Sequence, residues 1–140
     1  MTRYGFIGTG SMGSMLVRKF TGNAIIVPAD ISASSKTGVP ARALTDKTGI
    51  TAVPSNTAVA AGAGVLFICV KPAILKDVLE EIRPVLGKEI LIVPIAGGVT
   101  FADLKEWAGP DHRFVRVIPS VAAEHESGVS LVAWGRSTMP

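Results

Sequence analysis

Short apolar runs alternate along the chain with stretches whose apolar positions recur every three or four residues. The runs predict strands at 3–7, 24–29, 65–70, 90–95 and 114–118, with a weaker one at 51–53. The periodic stretches predict helices at 11–20, 40–48, 57–61, 73–83 and 101–107. The fourth helix shows the pattern most clearly. Ile74, Leu75, Val78, Leu79 and Ile82 share one face, Lys76, Asp77, Glu80 and Glu81 point away, and Pro84 and Gly87 end it. Strands and helices in alternation are the pattern of βαβ units wound into a parallel sheet covered on both faces. Residues 30–38, small and polar, read as the loop between the second strand and second helix. After residue 118 the rhythm changes, with a connection at 119–128 and one further strand at 129–133.

Composition narrows the class without altering that picture. A length of 140 residues suits one domain with a single core, and 48% hydrophobic against 18% charged residues excludes a disordered chain. The net charge of +3 is unclustered, which suits a small anionic ligand and not a nucleic acid. No apolar stretch approaches the ~20 residues needed to span a bilayer, and the first residues lack the pattern of a secretory signal, so neither membrane insertion nor secretion is expected. A lone cysteine, Cys69, excludes an intrachain disulfide framework and reads as a small buried side chain in a strand; a reducing cytoplasm is the expected location.

The chemistry gathers first at Gly8-Thr9-Gly10-Ser11-Met12-Gly13, which follows the first strand and opens the first helix. That context is the one a dinucleotide fingerprint requires. Gly8 allows a tight turn, Gly10 lets backbone approach a diphosphate, and Gly13 lets helix and strand pack closely. The phosphates would meet unpaired N–H groups at the positive end of the helix. About 20 residues on, Asp30 stands where an acidic side chain receives ribose hydroxyls in NAD sites, while Ser32, Ser34, Ser35 and Lys36 offer the donors and cation that suit a 2′-phosphate. Both NAD and NADP fit these residues, and Asp30 also suits a turn cap and the serines a solvated loop.

Taken in order, Phe6 through Gly13, Asn56, Val70-Lys71-Pro72 with its amphipathic helix, Ala96-Gly97-Gly98-Val99-Thr100 and Arg116-Val117-Ile118-Pro119 resemble the pyrroline-5-carboxylate reductases across nearly the whole chain. The resemblance implies a Rossmann-type α/β domain, doubly wound around a mostly parallel sheet, that binds NADP or NAD, and a reaction that reduces a cyclic imine to proline. It implies that Gly8, Thr9, Gly10, Ser11, Met12 and Gly13 hold the diphosphate and that Asn56 lies near the adenosine. Val70, Lys71 and Pro72 would line the ribose and nicotinamide, and Ala96 and Gly97 would frame the nicotinamide. It also implies a following helical domain that dimerises and completes the substrate pocket. That domain is expected to be missing from this chain, so the 140 residues alone are expected to bind nucleotide but turn over poorly, with homo-oligomers forming only where the helical domain is present.

No catalytic side chain is expected, because the cofactor carries the hydride and the protein supplies orientation. Lys71 before Pro72 fits a stiff turn contacting cofactor better than an acid or base. Arg116 suits a substrate carboxylate, or equally a surface or locally paired position. Pro94, Ile118, Ser120 and Ala122 depart from the family pattern at the substrate end. They leave room for another imine, for a noncatalytic nucleotide-binding module, or for a related reductase of the β-hydroxyacid dehydrogenase or deazaflavin-dependent kind. Glu124-His125-Glu126 and His112 read as surface, with no metal site expected. Asp77 and Glu81 read as a wetted helix face, and Trp107 and Trp134 as packing residues.

Overall fold

The computed structural model describes residues 3–118 and 131–134. Its strands are β1 (Tyr4–Ile7), β2 (Ile31–Ser34), β3 (Thr51–Ala52), β4 (Val65–Ile68), β5 (Leu91–Pro94), β6 (Arg113–Ile118) and β7 (Leu131–Trp134). The helices are α1 (Ser11–Gly22), α2 (Val39–Thr48), α3 (Asn56–Gly62), α4 (Pro72–Ile82) and α5 (Phe101–Ala108). The strands form one sheet in the order β3-β2-β1-β4-β5-β6-β7. All neighbours run parallel except β7, which pairs antiparallel with β6. The expected doubly wound, mostly parallel α/β sheet is therefore what the chain forms. Its order reverses between β1 and β4, and open α/β sheets bind ligands at such a crevice, beyond the carboxyl ends of the strands.

Alternation along β1 sends neighbouring side chains into two separate cores. Phe6 joins Val17, Ile31, Ala33 and Leu44 beneath α1 and α2, whereas Ile7 joins Leu66, Ile68, Leu79 and Ile92 beneath α3, α4 and α5. Phe6 stacks on its register partner Phe67 at 4.7 Å between ring centroids, and Phe20 of α1 leans on both rings at 6.2 and 5.6 Å. On α4 the stripe of Leu75, Val78, Leu79 and Ile82 is buried as the spacing predicts. Ile74 is the exception, 45% exposed on the flank of the helix. Trp107 packs partly buried against the α4–α5 core.

The second strand lies later in the chain than the apolar run predicts. Residues 24–29 are not a strand: Ala24 sits at φ 54°, the amides of Ile25 and Ile26 both donate to the Phe20 carbonyl, and Pro28 opens a short 3-10 turn that ends at Asp30. Pro28 has no N–H for a ladder, and Ile25 and Val27 are 64% and 62% exposed, so the apolar alternation there covers the end of α1. The strand is Ile31-Ser32-Ala33-Ser34, whose small polar side chains carry little hydrophobic signal although three of the four are buried. The connection at 119–128, with Pro119, Ser120, Ala122 and Glu124-His125-Glu126, lies outside the described residues, as does the side chain of Trp134.

The two apolar segments separate by stability. Leu79→Ala in the fully buried α4 stripe is expected to cost about 2–5 kcal/mol. Ile25→Ser, on the exposed turn, is expected to stay within about 0.5 kcal/mol of the parent. Urea unfolding midpoints of the two variants check both values; comparable losses would restore a buried strand at 24–29.

Candidate functional site

Three glycines shape the crossover from β1 to α1. Gly8 sits at φ 91°, donates its amide to the Ser34 carbonyl at 3.1 Å, and lies so near β4 that a Cβ would come within 2.7 Å of the Cys69 carbonyl oxygen. A methyl at Gly13 would collide with the Gly8 carbonyl oxygen, so helix and turn meet backbone to backbone. Gly10 is the N-cap of α1 and offers no side chain to the first amides, and a Cβ there would meet nothing within 4 Å. The positive end of a twelve-residue helix therefore opens on free space, with no acidic residue in its first turn. Thr9 supplies a second donor. It is 4% exposed, and its Oγ1 has no hydrogen-bond partner among the described residues, while its carbonyl accepts the Ser14 hydroxyl at 2.7 Å. Leaving a buried hydroxyl unpaired costs roughly 1–3 kcal/mol.

The turn forms one wall of a cleft of about 710 Å³ beyond the carboxyl ends of β1, β2 and β4. Gly8, Thr9 and Gly10 stand on one side, Ser35 and Lys36 on another, and Val70 and Lys71 at the start of α4 on a third. A smaller hollow of about 240 Å³ continues past Val70 and Lys71 to Met12, Ala96 and Ile118. Pro72 holds the first position of α4, with Lys71 as its N-cap, which fixes the turn between the two hollows. Ser11 and Gly13 lie in the first turn of α1, and Gly97 lies beside Ile118, 3.9 Å from where a Cβ would stand. A further hollow of about 460 Å³, between Arg3 and Arg113, lies at the amino ends of the strands, the wrong edge for this architecture.

Shifting β2 moves two expected contacts out of the cleft. Asp30 precedes β2 and, with Ser32, lines a small cavity of about 170 Å³ at the amino end of the sheet, together with Arg3. The expected role of Asp30 assumed a strand ending at Ala29; the strand begins at Ile31 instead, so Asp30 and Ser32 are not brought to the glycine turn. Lys36, which follows the real end of β2, is. Its neighbour Ser35 accepts the Ala41 amide at 3.2 Å and so anchors the start of α2.

At this end the structure joins residues that the sequence names separately. Ser34 is buried and donates its hydroxyl proton to Asn56 Oδ1 at 2.7 Å. Asn56, the first residue of α3, in turn donates Nδ2–H to Glu81 Oε2 of α4 at 3.1 Å. Asn56, Asp77 and Glu81 all line the cleft, as does Ile74, which accounts for its exposure. Asp77 and Glu81 are thus exposed as expected, but toward the cleft. Their spacing of four residues on the flank next to the apolar stripe was the available signal.

At the far end, Arg116 stacks its guanidinium over Phe101 at 5.6 Å from the ring centroid, and its Nε is buried without a partner among the described residues. Pro94 is buried as the last residue of β5 and lines neither hollow, and the ladder resumes beyond it where the Ile95 amide donates to Ile68 at 2.9 Å. His112 lies at the opposite edge of the sheet. Burial foremost, with the Arg83 charge, holds it below its ordinary range, against the pull of Asp111. Among the described residues no group of three or more His, Cys, Asp or Glu could hold a metal ion, and no helix is long and apolar enough to cross a membrane.

Cys69 borders both hollows, and burial pushes its thiol up from 9.0 to about 12. The folded state therefore keeps a proton that the unfolded chain releases above pH 9. Its contribution to stability is fully present below pH 9 and is lost as the pH rises toward 12. Urea midpoints should fall between pH 8.5 and 10.5, and they should fall less steeply in Cys69→Ala; equal slopes would refute the buried thiol.

Residues 3–97 match the family described as NADP oxidoreductase coenzyme F420-dependent. A pyrroline-5-carboxylate reductase of Glycine max is 35% identical over 133 residues, 95% of this chain and 48% of that protein. The solved pyrroline-5-carboxylate reductase of Coxiella burnetii superimposes with a TM-score of 0.92 at 26% identity, covering 99% of this chain and 51% of the other. The pyrroline carboxylate reductase of Plasmodium falciparum, solved with NADP bound, superimposes with a TM-score of 0.85 at 25% identity, covering 99% and 50%. The chain spans about half the length of the curated relatives it matches. With that match across β1 to β5 and the glycine turn at its centre, the chain belongs to the NADP oxidoreductase coenzyme F420-dependent family.

Proposed function

We propose that this chain is the dinucleotide-binding part of an NAD(P)H-dependent reductase of a cyclic imine, pyrroline-5-carboxylate or a close analogue. The observation that carries the reading is the uncapped start of α1, which faces open space over Gly10, with the unpartnered Thr9 hydroxyl buried beside it. Those donors suit the oxygens of a diphosphate. Similarity to reductases, one of them solved with NADP, supports the same assignment.

On this reading the cleft holds the adenosine half between Lys36, Asn56 and α4, and the smaller hollow receives the nicotinamide between Val70, Met12 and Ala96. When bound, the reduced nicotinamide supplies the hydride. The side chains around it do no covalent work. Val70 and Ala96 present apolar surface, and the Pro72 turn holds Lys71 between the hollows. Placing the imine carbon against the ring is the larger contribution to rate, since orientation can supply several kcal/mol of the barrier. A helical domain that completes the substrate pocket and carries homo-oligomer formation belongs to the same proposal, as does a cytoplasmic location, which the lone buried thiol suits.

Gly10→Asp tests the cradle without disturbing the backbone, because a Cβ there meets nothing within 4 Å. A carboxylate at the diphosphate position is expected to weaken both NADH and NADPH by roughly 100-fold or more, with a melting temperature that is unchanged or slightly raised, because Asp also caps α1. Calorimetric titration checks this; unaltered affinity would place the diphosphate elsewhere. Reduction of pyrroline-5-carboxylate by the 140-residue chain is expected to be weak and to rise when the chain is joined to the helical domain of a reductase relative. Steady-state rates of the two forms decide it, and full activity in the short form would refute the division of labour.

A further inference from the structure

The polar chain from Ser34 through Asn56 to Glu81 has only one self-consistent direction. An ionised carboxylate has no proton to give, so Asn56 must turn its Nδ2–H toward Glu81, at 3.1 Å. The amide oxygen then faces Ser34, whose hydroxyl must donate to it, at 2.7 Å. The single Ser34 proton is consumed inside the protein. What the cleft presents to a ligand is mainly acceptor capacity, the lone pairs of the exposed Glu81 carboxylate, with the second N–H of Asn56 beside it.

The charges around the cleft add to this. Lys36 and Lys71 line it, opposed by Asp77 and Glu81, so its lining is balanced and not cationic. Of the two acids, Glu81 is the one tied to Asn56 and thereby to the end of β2, where the sheet leads a bound ribose. Acceptors and a fixed negative charge suit ribose hydroxyls, which donate. They oppose a 2′-phosphate, which carries negative charge and offers mainly acceptors. In NAD sites that part falls to an acidic residue at the end of the second strand, and here the strand ends in Ser34-Ser35-Lys36 with no acid.

We propose that Glu81 of α4 sets the dinucleotide preference of this cleft, favouring the unphosphorylated ribose and working against Lys36. This rests on the nucleotide-binding reading above. Glu81 acts by holding the Asn56 amide and by its charge, so it is a positioning and specificity residue, with no part in hydride transfer.

Glu81→Gln keeps an acceptor for the Asn56 amide and removes the charge. It lies on the exposed flank of α4, apart from the buried stripe, and a thermal melt verifies folding. NADH and NADPH are titrated into the parent chain, Glu81→Gln and Asp77→Asn by calorimetry at low salt. The proposal expects the NADPH-to-NADH affinity ratio to rise roughly five- to tenfold in Glu81→Gln and to move less than about twofold in Asp77→Asn, with the gap between parent and Glu81→Gln narrowing in 0.5 M salt as the parent's own charge is screened. Three results would overturn it with nucleotide binding intact: an unchanged ratio in Glu81→Gln, equal losses for both dinucleotides, or the same rise in Asp77→Asn. Failure of the parent chain to bind either dinucleotide would remove the nucleotide-binding reading as well.

Discussion

The close approach of backbone to backbone at the β1–α1 crossover is the constraint on which the rest depends. Gly13 lets the helix rest on the Gly8 carbonyl, and Gly8 lets the turn rest on the Cys69 carbonyl while its amide reaches Ser34. One turn is thereby tied to α1, β2 and β4, the elements that surround the cleft. A side chain at either glycine would force these apart, and the uncapped amides of α1 would no longer face the space between them.

From that junction the sheet divides its labour by end and by face. The amino ends of the strands carry Arg3, Asp30 and Arg113, while the carboxyl ends carry the glycine turn, Ser34, Val70 and Ala96. The faces bury two distinct cores, and α4 shows how a single helix serves two purposes. Leu75, Leu79 and Ile82 fill the interior, while Ile74, Asp77 and Glu81, a small rotation away, wall the cleft. The acidic flank and the apolar stripe are thus neighbours on one helix whose alterations act on different properties.

Much of this was legible in the sequence wherever side chains announce their surroundings. Val65 to Ile68 and the α4 stripe are rich in large apolar residues, and the fingerprint at Gly8 to Gly13 states its own backbone geometry. The second strand was not legible, because its signal and its position are separated. Ile25, Ile26 and Val27 look like a strand but finish α1, whereas Ile31-Ser32-Ala33-Ser34 is a strand with a single large apolar residue, whose four-residue alternation is too short and weakly apolar to stand out. The strand begins at Ile31, seven residues after the start of its apolar signal, which leaves Asp30 at the amino edge and makes Ser34 the buried end of β2 instead of a loop residue. The Asn56–Glu81 contact was hidden for another reason: it joins positions 25 apart through tertiary packing, which no local pattern encodes.

The aromatic trio of Phe6, Phe67 and Phe20 lies on the face away from α4, under the crossover it supports. Three rings clamp the two central strands and the first helix to one another before any ligand arrives. On the nucleotide-binding reading, a site set in this way would spend little of its binding free energy on ordering itself.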